Sequence, residues 1–135
     1  MGAFDILAIS GSGVNLNRTW LDAISDNIAN ISTVRPTSEA AYQARYVEAT
    51  AVAPDAAQPG GVAVSGIALS SAEGKLSYQP DNPMADAQGM VRLPDVDLSE
   101  QMTQLIMAQR GYQANLSVVQ RATDAYNAAL QIGKG

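Results

Sequence analysis

The sequence predicts a mainly α-helical protein with a β-rich insert. Long N- and C-terminal helices form a coiled-coil-like pair around a small region of short strands and loops. Apolar residues recur every three to four positions towards both ends of the chain, whereas the segment between them alternates or is β-branched and is punctuated by Gly and Pro. We therefore divide the chain into an N-terminal amphipathic helix (1–36), a strand-and-loop region (37–96) and a C-terminal amphipathic helix (97–135).

The N-terminal helix is predicted to run from Phe4 to Ile31, and Pro36 stops helical propagation beyond it. Its seam has the alternating three- and four-residue spacing of a coiled coil. The seam comprises Ile6, Ile9, Gly13, Leu16, Trp20 and Ala23, and it continues with Asn27 and Asn30. Two interpretations of the asparagines stay open. Either the helix frays where they lie, or a polar residue in the seam fixes packing register at some cost in stability.

The middle region is predicted to contain four short strands. The strand candidates, which are bounded by Gly, Pro and other turn-forming residues, are 42–52, 60–69, 74–79 and 89–94. Large apolar side chains are few here, so the region is a marginal core by itself. We therefore expect it to pack against another part of the protein.

The C-terminal helix is predicted to follow Asp97, a favourable N-cap residue, with Glu100 spaced for a capping box and Gly133 as a stop. Its predicted seam comprises Leu98, Met102, Leu105, Gln109, Tyr112, Leu116, Val119, Thr123, Tyr126 and Leu130. The apolar faces of both helices are broader than a contact between two helices covers. Neighbouring subunits are the simplest explanation of the excess.

Composition disfavours several classes of function. The 135 residues include no cysteine and no histidine, which removes thiolate chemistry and the commonest general base and transition-metal ligand. The net charge of −5, with Lys and Arg scattered, does not suit nucleic acid or an anionic membrane surface. The N-terminus lacks a basic n-region and carries Asp5, so we expect no cleaved signal peptide. No apolar run is long enough to span a bilayer.

Two short motifs have ordinary structural explanations. The segment SGSGV at 10–14 contains two glycines but lies inside a helical pattern rather than after a strand, so close helix packing or a bend explains it better than phosphate binding. The segment DNPMAD at 81–86 offers oxygen ligands, but Arg92 stands where a calcium loop would place its glutamate. Turn formation explains its Asp and Asn residues. We therefore predict no metal, no cofactor and no catalytic residue.

Longer motifs resemble a known family. The segments NIANISTVRP (27–36) and YQARYV (42–47) resemble the N-terminal signature of bacterial flagellar axial proteins. The chain from residue 78 to its end resembles the FlgC family of flagellar basal-body rod proteins, the proximal-rod subunits. Its P-D-N-P-x-A-D-x-x-G element, and Val34-Arg35 where rod and hook relatives usually have Pro-Gly, fit that family. The chain departs from the family at Asp81-Asn82, where Gly-His is common, and at Met90, where an aromatic residue is common.

The resemblance implies a structural subunit without enzymatic activity, exported through the flagellar type III apparatus into a helical rod that crosses the periplasm. Its partners would be other rod proteins and copies of itself, with no nucleic acid, small-molecule substrate or membrane insertion. The predicted assembly interface comprises Leu16, Trp20, Asn27, Asn30, Leu105, Tyr112, Gln113, Asn115, Leu116 and Val119. Two alternatives are an acidic coiled-coil adaptor or secretion chaperone, and a small hydrolase that uses Asp or Tyr in the middle region.

Overall fold

The computed structural model describes residues 2–135 and confirms the predicted fold class. Two long helices lie at the ends of the chain with four short strands between them. In chain order the elements are α1 (Ala3–Asn30), β1 (Arg45–Val52), β2 (Gly61–Leu69), β3 (Lys75–Tyr78), β4 (Met90–Leu93) and α2 (Leu98–Gly133). Each strand falls inside the segment predicted for it, because turn-forming residues bound each one.

Both helices begin with an acidic side chain that bonds a free main-chain amide. Asp97 Oδ1 accepts a 2.8 Å hydrogen bond from the Glu100 amide, which confirms the predicted N-cap. The Glu100 carboxylate accepts a bond from the Gln104 side chain rather than closing a capping box. At the start of α1, Asp5 Oδ2 accepts a 2.7 Å bond from the Gly2 amide. Each carboxylate also lies at the positive end of its helix dipole.

The first helix packs antiparallel against the last. Near the middle of the pair, Trp20 Nε1 donates to Gln104 Oε1 at 3.3 Å. Near the chain ends, the rings of Phe4 and Tyr126 meet edge to face, with centroids 5.5 Å apart. The coiled-coil-like pair therefore forms within one chain.

The strands β1 and β2 form an antiparallel hairpin with a bulge between Glu48 and Ala49, a feature that increases strand twist. The hairpin is attached to α1 where the Val62 amide donates to Ser12 Oγ at 3.1 Å. Gly61 has φ +135°, and a Cβ atom there would lie 2.5 Å from Ser12 Oγ. Glycine is thus required at this approach of hairpin to helix.

The strands β3 and β4 form a second antiparallel hairpin, to which the segment after α1 adds one bridge. Arg35 and Arg92 exchange main-chain hydrogen bonds of 2.9 and 2.8 Å. The Arg92 guanidinium donates to the carbonyl oxygens of Thr37 and Glu73. Asp86 accepts from the Thr37 hydroxyl at 2.9 Å and from two main-chain amides of its own loop. These bonds join the second hairpin to the segment that follows α1.

The core is small and rich in alanine. Its apolar residues are Ala23, Ile24, Ala41, Ala44, Val91, Val96 and Ala108, and its buried polar residues are Ser10, Asn17, Asn27 and Gln101. Few large apolar side chains are fully buried, and many are exposed. Within the described residues, neither helix has an apolar stretch long enough to cross a membrane.

Candidate assembly interface

Asn27 joins three segments of the chain through its side-chain amide. Nδ2 donates to the Arg45 carbonyl oxygen at 2.9 Å and to Gln101 Oε1 at 3.0 Å. Oδ1 accepts from the Arg45 amide at 2.8 Å and from the Tyr42 hydroxyl at 3.2 Å. A primary amide has two donors and two acceptor lone pairs. The bonding capacity of Asn27 is therefore filled within its own chain, between α1, β1 and α2.

The Asn27 amide pairs with the first residue of β1 as a neighbouring strand would, because it bonds both the amide and the carbonyl of Arg45. Asn27 and Gln101 are 1% and 0% exposed. In the part of the chain that the structure describes, Gln101 Nε2 has no hydrogen-bond partner. The Gln101 amide thus keeps its oxygen towards Asn27 and leaves its donor unsatisfied. Losing the bond from Asn27 would leave the buried oxygen without a partner as well, which is costly.

The two asparagines of α1 have different roles. Asn30 is the last residue of the helix; its Nδ2 donates to the Asp26 carbonyl oxygen and its Oδ1 accepts from the Thr33 hydroxyl. Asn30 is half-buried and its bonds are local, as expected for a helix end. Fraying does not describe Asn27, which is buried and lies in the last turn of a regular helix.

Glycine and asparagine residues face each other twice across the helix pair. A Cβ atom on Gly13 would lie 2.8 Å from Cγ, Oδ1 and Nδ2 of Asn115 alike. A Cβ atom on Gly111 would lie 2.6 Å from Oδ1 of Asn17, and 3.1 Å from its other two amide atoms. Each flat amide therefore covers a glycine of the opposite helix. Close packing, one of the two explanations given for the glycines of 10–14, is confirmed for Gly13.

Each of these asparagines also bonds its own helix. Asn17 Nδ2 donates to the Gly13 carbonyl oxygen at 2.8 Å, and Asn115 Nδ2 donates to the Gly111 carbonyl oxygen at 3.0 Å. Both helices thus carry the same Gly-x-x-x-Asn segment. Asn17 was not predicted from the sequence, although the repeated spacing of GVNLN and GYQAN was available as a signal.

The contact face of α2 differs from the predicted seam. Its buried residues are Gln101 and Ala108, followed by half-buried Asn115 at the same seven-residue spacing. Within the single chain the predicted seam is exposed at Leu98, Met102, Gln109, Leu116, Thr123, Tyr126 and Leu130, although the Tyr126 ring still contacts Phe4 of α1. On α1 the predicted seam includes the exposed Ile6 and the half-buried Leu16, and it misses the buried Asn17 beside Leu16. The buried positions of α2 thus hold small and amide side chains, and its large apolar side chains lie at the edge of the contact or outside it.

The other predicted interface residues lie at the edge of the helix pair or outside it. Trp20, Leu105, Tyr112 and Val119 are half-buried, like Leu16 and Asn30. Gln113 is exposed, and within residues 2–135 its side chain has no hydrogen bond to α1. Of the ten residues, only Asn27 is fully buried in the single chain.

Two exposed apolar flanks run along α2 on either side of α1. The first flank comprises Leu98, Met102, Ile106 and Leu116, and the second comprises Met107, Val118 and Ile132. Leu116 and Met107 are nine positions apart, which at 3.6 residues per turn is about two and a half turns, so they point in opposite directions. Their exposed fractions are 43% and 56%. The helix therefore presents apolar surface to two different sides.

Two carboxylates outside the helix pair, Asp55 and Asp86, are engaged in turns. A shallow pocket of about 210 Å³ is lined by Asp5 and residues 55–59. The Asp55 carboxylate accepts bonds from the amides of Ala57 and Gln58, which lower its pKa. The main-chain bond from Met90 is the largest cause that lowers the pKa of Asp86. Turn formation therefore accounts for these acidic residues.

Two family models match the chain, and they match its two ends. The flagella basal body rod protein model matches residues 7–37, which include most of α1. The model for the C-terminal region of the flagellar basal body rod FlgEFG proteins matches residues 87–132, which include β4 and nearly all of α2. The matched regions thus contain both helices and the Arg35–Arg92 bridge.

Curated proteins match over the full length. The chain is 34% identical to the flagellar basal-body rod protein FlgC of Escherichia coli O6:H1, an alignment that covers 99% of this chain and all of the relative. It is 34% identical to FlgC of Borreliella burgdorferi over the whole of both chains. It is 30% identical to FlgC of Bacillus subtilis over 99% of this chain and all of the relative. The chain therefore belongs to the FlgC family of flagellar basal-body rod proteins, and it is a structural subunit of the rod rather than an enzyme.

Proposed function

We propose that the chain polymerises helically into the proximal rod through its two terminal helices, with copies of itself and other rod proteins as neighbours. The observation that supports this is the pair of exposed apolar flanks on α2. Removing a large apolar side chain from water contributes about 1.5–3 kcal/mol, so seven such residues favour burial against other chains. Residues 1–36 and 97–135 would form the assembly unit, and residues 37–96 would contact neighbours further out.

Two opposed flanks favour a polymer over a closed pair of subunits. A two-fold dimer uses one self-complementary patch, whereas a helical array needs two different patches that meet on successive subunits. The first flank adjoins Leu105 and Tyr112 of the predicted interface, and the exposed Gln113 adds a polar contact beside it. Asn27 then supports the interface from inside because its bonds hold α1 against β1 and α2, and Asn115 does so by packing on Gly13 of α1. Asn30 contributes only local bonds at the end of α1.

We also propose that the subunit reaches the periplasmic part of the rod through the flagellar type III export apparatus. The chain has no cysteine, so no disulfide has to be broken for it to travel unfolded. Its small, alanine-rich core also limits the work of unfolding it.

The test is to place a carboxylate in each flank separately. Leu116→Asp and Val118→Asp each introduce a charge that would be buried without a partner in the assembled rod, at a cost of several kcal/mol. Both side chains are exposed in the single chain, so circular dichroism of the purified variants should match that of the parent. Thr103→Asp, on an exposed polar position of the same helix, is the control.

We expect cells with either flank variant to lose swarming and to yield no complete rods, while the Thr103→Asp cells swarm normally. Normal swarming with Leu116→Asp would overturn the assignment of the first flank as an interface. Loss through one flank only would overturn the proposal of two different neighbours on α2.

A further inference from the structure

We propose that the two Gly-x-x-x-Asn segments form a register lock that sets α1 against α2 in one position. The lock consists of Gly13 with Asn115 and of Gly111 with Asn17. The inference concerns contacts within one chain. It bears on the proposed assembly only because the register determines where the apolar flanks lie.

The flatness of the amide is the basis of the lock. The three amide atoms of Asn115 are equidistant from the position that a Cβ atom of Gly13 would occupy, so the amide lies face-on over the glycine. Leucine branches at the same atom but is tetrahedral there, so it cannot lie flat on a helix backbone. The bond from Asn17 Nδ2 to the Gly13 carbonyl, and the equivalent bond of Asn115, hold each amide over the glycine opposite, with the Asn17 oxygen nearest to Gly111.

The arrangement discriminates between registers. In the contacts of Gly13 with Asn115 and of Asn17 with Gly111, the two residue numbers add to 128, and the Asn27–Gln101 bond has the same sum. A slip of four residues in one direction would oppose Asn17 to Asn115. A slip of four in the other direction would oppose Gly13 to Gly111 and leave a gap. Both amide-on-glycine contacts are therefore lost in either slipped register.

Glycine substitutions test the close approach, with a control in the same helix. Gly13→Ala would place a methyl group against the Asn115 amide, whereas, apart from its chain neighbours and the nearby backbone of α1, no described atom lies within 4 Å of a Cβ on Gly11. We expect Gly13→Ala to lower the thermal midpoint of the purified chain and Gly11→Ala to leave it unchanged or raise it, since alanine favours a helix. Equal effects of the two variants would overturn the lock.

A rescue experiment separates the contact from a general defect in folding. Gly111→Ala should be destabilising, because its methyl group meets the buried Asn17 amide. Adding Asn17→Ala removes that amide, so the double variant should recover part of the lost thermal midpoint. A double variant whose loss equals the sum of the two single losses would contradict the proposal.

Thiol cross-linking measures the register itself, and the chain has no cysteine of its own. Phe4→Cys with Tyr126→Cys reports the observed register, because the two rings are in contact. Phe4→Cys with Leu130→Cys reports a slip of four residues. In the Asn17→Leu, Asn115→Leu background that slip brings the two introduced leucines together, so it becomes favourable.

We expect a short bifunctional thiol reagent to link 4 with 126 in the otherwise unchanged chain, and the ratio of the 4–126 link to the 4–130 link to fall several-fold in the leucine background. An unchanged ratio would overturn the lock, as would failure of the first pair to link in the chain that retains both asparagines. Both readouts come from the purified chain, so a failure of the proposed rod assembly would leave them unaffected.

Discussion

Replacing Asn27 with leucine is expected to destabilise the folded chain by about 3 kcal/mol, although leucine is the better helix former. Leucine has a similar size and branches at the same atom, so the change removes hydrogen bonds without opening a large cavity. The groups left without a partner are Gln101 Oε1 and both main-chain groups of Arg45. Tyr42 is half-buried, and its hydroxyl can bond water instead.

The size of the stability loss depends on how deeply each polar group that loses its hydrogen-bond partner is buried. A buried polar atom without a partner costs about 1–3 kcal/mol, and Gln101 is 0% exposed, so we assign it about 2 kcal/mol. The two main-chain groups of Arg45 are partly accessible to water, and they add about 0.5–1 kcal/mol each. The higher helix propensity of leucine offsets about 0.5 kcal/mol of this loss. The net loss is a large share of the 5–15 kcal/mol that stabilises an ordinary domain.

Urea unfolding followed by circular dichroism measures this loss. With a slope of about 2 kcal/mol/M, the midpoint of Asn27→Leu should fall by about 1.5 M. Asn30→Ala is the matched control, because Asn30 bonds only its own helix end and the residues just after it. Its effect should stay within about 0.5 kcal/mol.

A midpoint for Asn27→Leu at or above that of the parent would refute this reasoning. It would mean that the amide contributes no net stability within the chain. Asn27 would then have to act, if at all, in packing between subunits. Equal losses for the two variants would equally refute the distinction between a three-segment junction and a helix end.

Two further predictions concern the attachment of the hairpins. Ser12→Ala removes the acceptor of the Val62 amide, and we expect that amide to exchange with solvent several-fold faster by hydrogen-exchange NMR while α1 keeps its protection. The pKa of Asp86 is held below its ordinary value of 3.8, chiefly by the Met90 amide, so its contribution to stability is complete above that value and is lost as pH falls through the lower, folded-state pKa. Asp86→Asn should remove this part of the acid dependence, as measured by thermal midpoints between neutral and acidic pH; an unchanged acid dependence would contradict it.

Local rules were sufficient to predict the secondary structure. The start of α2 follows from Asp97, Pro36 sets a limit beyond which α1 cannot continue, and each strand is delimited by turn-forming residues, so neighbours in sequence determine them. The contact between the helices was not predictable by the same means. Hydrophobic periodicity assigns the largest apolar residues to the inside, whereas the buried residues of the two helices are small or amide-bearing except for Ile24. The predicted seam of α2 is therefore shifted by one residue from the observed contact face.

The roles of the asparagines depended on partners that are distant in the sequence. Periodicity placed Asn27 on a packed face, but its partners belong to β1 and α2, and only the folded chain brings them together. Asn17 looked like an ordinary polar residue beside Leu16. Its role depends on Gly111 of the opposite helix, which has no side chain and so leaves room for the flat Asn17 amide. Such a contact requires both helices and cannot be recognised from either one alone.

The pairing of the first helix with the last has a consequence for the order of events during synthesis. The partners Asn27 and Gln101 are 74 residues apart in the chain, and Trp20 and Gln104 are 84 apart. At a synthesis rate of about 5–20 residues per second, roughly 4–15 s pass between the synthesis of α1 and that of its partner residues in α2. A helix alone is marginal in water, so α1 stays largely unstructured during that interval. The amino-terminal segment of every nascent chain is thus accessible to other proteins, and it stays accessible until α2 is complete.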